Sequence, residues 1–293
     1  MSWLKLRLNS TGDQAGPLSE LLEVLGAESV TLQDGADDAI FEPPPSQMPL
    51  WKNTIVSALF APQTSMDDYL AAIEASLGSC PPYEISKLED RVWERQWLKH
   101  FKAMRFGNRL WVCPKHLAPP DPHAVNVILD PGLAFGTGTH ATTRLCLQWL
   151  DKHIKPGQTV VDYGCGSGIL AIAAMKLGAA RAWAVDLDPQ ALIATAQNTR
   201  DNRVDDTIAI GYPNTLNDIQ ADVVIANILI GPLQELAASL VSLTAPGGYL
   251  VLSGIMKDQV KPLCDRYHTL IRLHEHFEAD QWCCLAGKRQ AKT

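Results

Sequence analysis

TVVDYGCGSG, residues 159–168, is the stretch that decides the fold, because an apolar strand runs through three alternating glycines into an apolar helix. Glycines leave no Cβ to block close approach, and they permit the dihedral angles of a tight strand-to-helix turn. A second apolar run, residues 182–185, ends at Asp186. A carboxylate at the tip of a neighbouring parallel strand is placed to accept both hydroxyls of a ribose. The turn and the acid together predict a nucleoside-binding site.

Two classes of nucleoside cofactor are compatible with this turn. A dinucleotide fingerprint has its last glycine three residues after the second, where a pyrophosphate sits on the helix N-terminus. Ile169 occupies that position here. The alternation of Gly164, Gly166 and Gly168 instead resembles S-adenosylmethionine-dependent methyltransferases, whose cofactor has no phosphate. A nicotinamide-dependent oxidoreductase stays open as the alternative, because Asp186 also suits the ribose of that cofactor.

The composition is that of a globular protein, since 46% of the residues are hydrophobic and 19% are charged. The length of 293 residues is enough for one large and one small domain. No run of about 18 apolar residues predicts a membrane span, and no leader pattern is visible at the N-terminus. Seven cysteines without CxxC spacing fit a reducing compartment. A formal net charge of -7 argues against direct nucleic acid binding. We therefore expect a cytoplasmic protein with no membrane association.

Residues 1–88 are predicted to form a small α+β domain. Alternating apolar strands and helical spacing follow one another in the order β-α-β-β-α-β, which is the ferredoxin-like arrangement. No chemistry-bearing constellation occurs here, so binding is the expected role. Residues 89–109 are predicted to be a linker helix, because Trp93, Trp97 and Phe101 repeat at i, i+4 and i+8 and form one aromatic face.

Residues 110–293 are predicted to form an α/β domain with a mostly parallel sheet, because apolar strands alternate with helices. The last two strands adjoin without a helix and are expected to be antiparallel. The run His274-Glu275-His276, taken with Cys283-Cys284, could suggest a metal site; alternation at a strand end is the favoured interpretation, and no metal is predicted. The strands are predicted at 159–163, 181–185, 207–210, 222–226, 249–253, 270–276 and 282–286.

Two further segments carry polar groups where a ligand of an α/β sheet is expected. DPGLAFGTGTH, residues 130–140, describes a constrained loop before a helix. Thr142 and Thr143 follow it, and either hydroxyl could cap that helix or reach a cofactor carboxylate. The apolar strand 222–226 presents Asn227 at its C-terminal end, where ligands gather in open α/β sheets.

The loop 130–140, the motif 162–168, Asp186 and Asn227-Ile228-Leu229 together resemble the bacterial methyltransferase family that modifies large-subunit ribosomal protein eleven. The resemblance covers essentially the whole chain, and the loop is its most specific part. It implies a class I, Rossmann-like seven-stranded sheet with an N-terminal domain that recognises the ribosomal protein, whose amino groups receive up to three methyls each. A ribosome-associated binding protein without turnover is the non-enzymatic alternative. The resemblance implies that S-adenosyl-L-methionine is contacted by Thr143, Gly164, Asp186 and Asn227, with Gly166 lining the same loop.

The residues after Asn227 favour a flexible primary amine as the methyl acceptor. Methyltransferases acting on planar amide or base nitrogens often place prolines and an aromatic ring there, whereas this chain has Ile228-Leu229-Ile230. A lysine amine has a pKa of about 10.4 in water, and burial beside a sulfonium would lower it. Asn227 is the candidate for orienting the amine. His140 is a candidate proton acceptor, although hydrogen bonding at the helix entry is its favoured role.

Overall fold

A computed structural model describes residues 2–36, 50–89, 102–129 and 138–291. The chain divides into two compact units, Met1–Arg95 and Gln96–Thr293. The aromatic face predicted at Trp93, Trp97 and Phe101 lies outside the described residues, as do the first eight residues of the 130–140 loop.

The N-terminal unit has the predicted β-α-β-β-α-β order, in a four-stranded antiparallel sheet with strand order β2-β3-β1-β4. This order confirms the ferredoxin-like prediction. Helix α1 begins at Gly12, so that Pro17 lies inside it, and its buried face carries Ala15, Leu18 and Leu22. The elements are β1 Ser2–Thr11, α1 Gly12–Val24, β2 Ser29–Asp34, β3 Asn53–Phe60, α2 Met66–Leu77 and β4 Tyr83–Glu89.

A three-stranded sheet precedes the main sheet of the C-terminal unit, and the sequence did not predict it. It consists of β5 Met104–Phe106, β6 Leu110–Pro114 and β7 Val125–Leu129, in the order β5-β6-β7. The linker helix predicted over 89–109 is therefore wrong for its last residues: a turn at Gly107, with φ of 67°, folds β5 back onto β6 so that Phe106 pairs with Leu110.

The main sheet of the C-terminal unit has seven strands in the order β10-β9-β8-β11-β12-β14-β13. All pairs are parallel except those made by β14, so the expected α/β sheet with a reversed final strand is confirmed. The elements are α3 Ala141–His153, β8 Thr159–Tyr163, α4 Ile169–Lys176, β9 Arg181–Val185, α5 Pro189–Asn202, β10 Ile208–Gly211, β11 Ala221–Asn227, α6 Ile230–Glu235, α7 Ala237–Leu243, β12 Thr244–Met256, α8 Val260–Tyr267, β13 Leu273–Ala279 and β14 Trp282–Lys288.

Two apolar cores cover the two faces of this sheet. Helices α3 and α4 pack on one face around Trp149 and Leu170, and α6, α7 and α8 pack on the other around Leu240 and Tyr267. Strands β8, β9 and β11 are therefore nearly continuous apolar runs, as is typical of strands buried on both faces. Asp162, Asn227 and, just after β9, Asp186 lie at or near the carboxyl ends of these strands, where the candidate site is found. Within the described ranges, no helix has the length and apolar character needed to cross a membrane.

Candidate functional site

The glycine turn after β8 is tied to the neighbouring strand by two backbone hydrogen bonds. The amide nitrogens of Gly164 and Cys165 donate to the carbonyl oxygen of Val185 at 2.8 and 3.0 Å. Gly164, Gly166 and Gly168 all have positive φ angles, of 75°, 53° and 77°, which only glycine adopts at little cost. The turn predicted from the glycine spacing therefore lies between the carboxyl ends of β8 and β9.

Packing inside the protein accounts for part of the glycine requirement. A Cβ on Gly164 would lie 2.3 Å from Cγ2 of Ile228, and a Cβ on Gly168 would lie 2.7 Å from Cγ2 of Thr195. Both distances are far below a normal contact between carbon atoms. These two glycines thus let the turn pack against α5 and the end of β11, a role that the sequence analysis did not anticipate.

Asp186 lies against the glycine turn, as its position in the sequence predicts. Its Oδ2 accepts a hydrogen bond from the Gly166 amide at 2.9 Å, and its Oδ1 accepts one from the Asp188 amide at 3.0 Å. The side chain is half-buried. Because each carboxylate oxygen has two lone pairs, Asp186 is oriented by the backbone and retains acceptor capacity on both oxygens.

Asp162 is a second carboxylate at this edge, and the sequence analysis did not single it out by itself. It is completely buried at the end of β8. Its Oδ2 accepts a hydrogen bond from the Ala171 amide at 3.0 Å, whereas its Oδ1 has no hydrogen-bond partner in the described parts of the chain. Burial raises the pKa of Asp162 to about 7, against the lowering effect of the Ala171 bond and with a smaller contribution from the Asp186 charge. An unsatisfied buried oxygen is uncommon and calls for a reason.

Asn227 and Thr143 are joined by a hydrogen bond, with 3.3 Å from Asn227 Nδ2 to Thr143 Oγ1. Asn227 is the last residue of β11 and is half-buried. Thr143 is only 1% exposed in the first turn of α3. The structure thus brings together two residues that lie 84 positions apart and that were predicted for the same site.

His140 is the N-cap of α3, which confirms its favoured role. Its Nδ1 accepts a hydrogen bond from the Thr142 amide at 3.4 Å and lies 2.7 Å from Thr142 Oγ1. The expectation that a threonine hydroxyl caps this helix is wrong, because the imidazole takes that place. Burial lowers the pKa of His140, and its ring packs edge-on against Trp282 at 4.8 Å between centroids.

Helix α5 supports the glycine turn with polar side chains that the sequence analysis missed. Thr195 Oγ1 donates to the Gly166 carbonyl at 2.9 Å, and Asn198 Nδ2 donates to the Ser167 carbonyl at 2.8 Å. Asn202 accepts from the Ile128 amide at 2.8 Å and donates to its carbonyl at 2.6 Å. The signal was present, because these three buried side chains recur at i, i+3 and i+7 along one face of α5.

The turn, the acid and the asparagine therefore meet at the carboxyl ends of β8, β9 and β11. Gly164 contacts Ile228, Gly166 bonds to Asp186, and Asn227 bonds to Thr143. In open α/β sheets, this edge is where ligands bind. The arrangement places a carboxylate acceptor for hydroxyl groups and a side-chain amide at the same edge of the sheet.

A family model and curated relatives match nearly the whole chain. The family model described as "Ribosomal protein L11 methyltransferase (PrmA)" matches residues 2–290. A "Ribosomal protein L11 methyltransferase" of an Enterobacter species is 50% identical over 99% of this chain and 100% of its own length. The protein of that name from Actinobacillus pleuropneumoniae is 48% identical over the same shares.

A solved structure also resembles this chain. It is the "ribosomal protein L11 methylase" from Lactobacillus delbrueckii subsp. bulgaricus, which is 31% identical, with a TM-score of 0.60. The match covers 65% of this chain and all of that one.

Proposed function

This chain belongs to the ribosomal protein L11 methyltransferase family, and from that premise we propose that it transfers methyl groups from S-adenosyl-L-methionine to amino groups of ribosomal protein L11. The relatives named above are methyltransferases. They give no support to a nicotinamide-dependent oxidoreductase or to a binding protein without turnover. The hydrogen bond between the Gly166 amide and Asp186 is the observation that carries the proposal, because it joins the two halves of the predicted nucleoside site.

The residues at the carboxyl edge fit S-adenosyl-L-methionine better than a phosphate-bearing cofactor. Asp186 keeps acceptor lone pairs that suit the two hydroxyls of a ribose. Ile169 stands where a dinucleotide fingerprint has its third glycine, the residue that permits close helix–strand packing beside a pyrophosphate. We therefore propose that Thr143, Gly164, Gly166, Asp186 and Asn227 hold the cofactor.

When bound, this cofactor supplies a methyl group that its sulfonium has already activated. The task of the protein is then to align the acceptor amine, since correct positioning alone lowers such barriers greatly. Asn227 is proposed as the catalytic residue for this step. Its Nδ2 is fixed by the bond to Thr143, so its carbonyl oxygen is held in one orientation and is able to accept a hydrogen bond from the amine.

The chain residues beside Asn227 favour lysine side chains and the N-terminal amine as acceptors. Ile228 packs on the glycine turn, and Leu229 is 47% exposed next to it. This aliphatic surface lacks the aromatic ring that would stack on a planar amide or base. It also desolvates an ammonium group, which lowers the pKa of the amine and promotes loss of its proton. His140 is less suited as the proton acceptor, because its Nδ1 is engaged with Thr142.

The two parts of the chain are proposed to divide the work. Residues 110–293 carry the cofactor and the chemistry, and residues 1–88 recognise the ribosomal protein. We place the reaction in the cytoplasm, without contact to membranes or direct nucleic acid binding, in keeping with the net charge of -7 and seven free cysteines.

Titration calorimetry with S-adenosyl-L-methionine tests the cofactor site, and intact mass analysis of ribosomal protein L11 tests the reaction. We expect binding by the wild type, weaker binding by Asp186→Ala, and mass increases in units of one methyl. Asp222→Ala is a matched control, because this carboxylate lies at the opposite end of β11. Unaltered cofactor binding by Asp186→Ala would refute the site. Cofactor binding without any methylated product would refute the reaction.

A further inference from the structure

The final hairpin brings three metal-ligating side chains together on one face. In the antiparallel pairing of β13 with β14, Glu278 lies directly opposite Cys283. His276 lies two residues before Glu278 and therefore points to the same side of the strand. His276 Nε2 is 3.2 Å from Glu278 Oε1, and the ligand atoms of all three residues lie within 4.8 Å of one another.

The three side chains form a shallow site with an open outer side. The side chains of His276 and Glu278 are 42% and 45% exposed, whereas Cys283 is buried beneath them. Lys257 Nζ lies 2.9 Å from Glu278 Oε2. That contact uses one carboxylate oxygen and leaves Oε1, the atom beside His276, facing the centre of the group.

We propose that His276, Glu278 and Cys283 form a binding site for Zn²⁺. An imidazole nitrogen, a carboxylate oxygen and a thiolate are a donor set that zinc accepts readily and that Mg²⁺ or Ca²⁺ does not. In a tetrahedral site with metal–ligand distances of about 2.0–2.3 Å, ligand atoms are roughly 3.5 Å apart. The two exposed side chains need to move inward by about 1 Å to reach this geometry. A water molecule takes the fourth position.

The site includes one of the two histidines, His274 and His276, and one of the two cysteines, Cys283 and Cys284. His274 is on the same strand as His276 but interacts with Glu275, at 4.0 Å between Nε2 and Oε1. Cys284 points to the opposite face of the sheet, where it interacts with Cys146. The strand alternation predicted for this run is correct, and it places Cys283, but not Cys284, on the face that carries His276 and Glu278. His276 rather than His274 belongs to the group because it lies next to Glu278. The proposal revises only the expectation that no metal binds.

Zinc binding at this site requires the thiol of Cys283 to lose its proton to solvent as the sulfur–zinc bond forms. Each ion bound therefore releases about one proton. Bound zinc joins β13, at the edge of the sheet, to β14 and stabilises the hairpin, because it binds only the folded pairing.

Co²⁺ alone is a suitable probe, because a cobalt–thiolate bond gives a charge-transfer absorption band that the free ion lacks. We expect one Co²⁺ per chain, with the band abolished in Cys283→Ser and affinity at least tenfold weaker in His276→Asn and Glu278→Gln. His274→Asn is the matched control and should bind as the wild type does. Lys257→Met should bind more tightly, because it removes a cation that competes for Glu278.

Three results would overturn the proposal. The first is a thiolate band that persists in Cys283→Ser, which would assign it to the partly exposed Cys80 or Cys264. The second is equal weakening by His274→Asn and His276→Asn. The third is the absence of cobalt binding by the wild type. Should Cys283→Ser fail to fold, the exposed pair His276→Asn and Glu278→Gln decides the question.

Discussion

At each end of strand β11, a polar side chain is hydrogen-bonded to a threonine, and the two pairs differ in the number of hydrogen bonds that join them. At the amino end, Asp222 Oδ2 accepts from both the amide and the hydroxyl of Thr159 at 2.8 Å, and the Asp222 amide donates to the same hydroxyl at 3.1 Å. At the carboxyl end, Asn227 makes one bond of 3.3 Å to Thr143. The Asp222–Thr159 pair is thus linked by three hydrogen bonds, whereas within the described residues the side chains of the Asn227–Thr143 pair are linked by one.

Glycines show the same difference between the two edges of the sheet. Gly157 and Gly247 at the amino edge have φ angles of 87° and 81°, and a Cβ on either would meet nothing within 4 Å. Gly164 and Gly168 have similar angles, but a Cβ on them would collide with Ile228 and Thr195. Positive φ is therefore common to both edges, and of these four glycines only Gly164 and Gly168 also lack room for a side chain.

Gly164→Ala should have the largest effect, with Gly157→Ala as its matched control. Both changes force alanine into positive φ, which costs roughly 1–2 kcal/mol. Gly164→Ala also displaces Ile228, and overpacking adds roughly 1–3 kcal/mol. Urea unfolding should show the larger loss for Gly164→Ala, and calorimetry should show lost cofactor binding in that variant alone. Equal losses in the two variants would remove the distinction between the edges.

Asp162→Asn should change how stability depends on pH. The pKa of Asp162 is about 7 when folded, against a usual value of 3.8, so the folded state retains a proton that the unfolded chain releases. Protonated Asp162 contributes its whole stabilising effect below about pH 4. This contribution to the free energy of unfolding decreases as the pH rises to about 7, by at most roughly 4 kcal/mol. Asparagine keeps an acceptor for Ala171 and cannot ionise.

Urea unfolding at about pH 5 and about pH 8 measures this contribution. The free energy of unfolding should change less between these two pH values in Asp162→Asn than in the wild type. An identical difference in both proteins would show that the buried carboxyl does not carry a raised pKa.

Asp186→Asn should weaken cofactor binding by roughly 10- to 100-fold, the loss expected for hydrogen bonds to a charged acceptor. Both oxygens of Asp186 accept backbone amides, so the NH₂ group of asparagine must face one donor. Asp222→Asn is the control, because a single oxygen, Oδ2, accepts both bonds from Thr159 and the new NH₂ group fits on the other side. Calorimetry should give a wild-type affinity for the control. A similar loss in both variants would indicate a general effect on the sheet.

Thr143→Val should have the smallest effect and should separate function from stability. It removes the acceptor for Asn227 Nδ2, a bond worth about 1 kcal/mol, so the methylation rate should fall by about fivefold. Thr159→Val, at the opposite end of the sheet, should reduce the free energy of unfolding and leave the rate per folded molecule unchanged. A rate that falls in Thr159→Val as much as in Thr143→Val would contradict the assignment of the carboxyl end to catalysis.

Sequence reasoning located the main sheet well because its strands are buried on both faces. The strands predicted at 159–163 and 181–185 coincide with β8 and β9, whose apolar runs end sharply at glycine or aspartate. The three-stranded sheet β5-β6-β7 was missed because β5 has only three residues and lies in the segment whose aromatic spacing predicted a helix. The dipeptide Gly107-Asn108 was the local turn signal that could have indicated the β5–β6 hairpin.

The candidate site was predictable where spacing along the chain sets the geometry. The glycine turn and Asp186 follow consecutive strands, so their proximity follows from the parallel pairing of β8 and β9. The contact of Gly164 with Ile228 joins residues 64 positions apart and leaves no local pattern. Thr195 and Asn198 were overlooked because threonine and asparagine in a helix usually face solvent, whereas both are buried here.

Helix α5 is hydrogen-bonded to strand β7, because Asn202 binds both the amide and the carbonyl group of Ile128. The same helix also supports the glycine turn. The Ile128 amide can exchange its hydrogen for deuterium only when its hydrogen bond to Asn202 breaks. Its exchange rate therefore reports how often α5 separates from β7 by local unfolding. Cofactor that binds beside the turn would slow this exchange from a distance. One isotope-labelled amide at residue 128 would thus report whether cofactor is bound at a site that it does not contact.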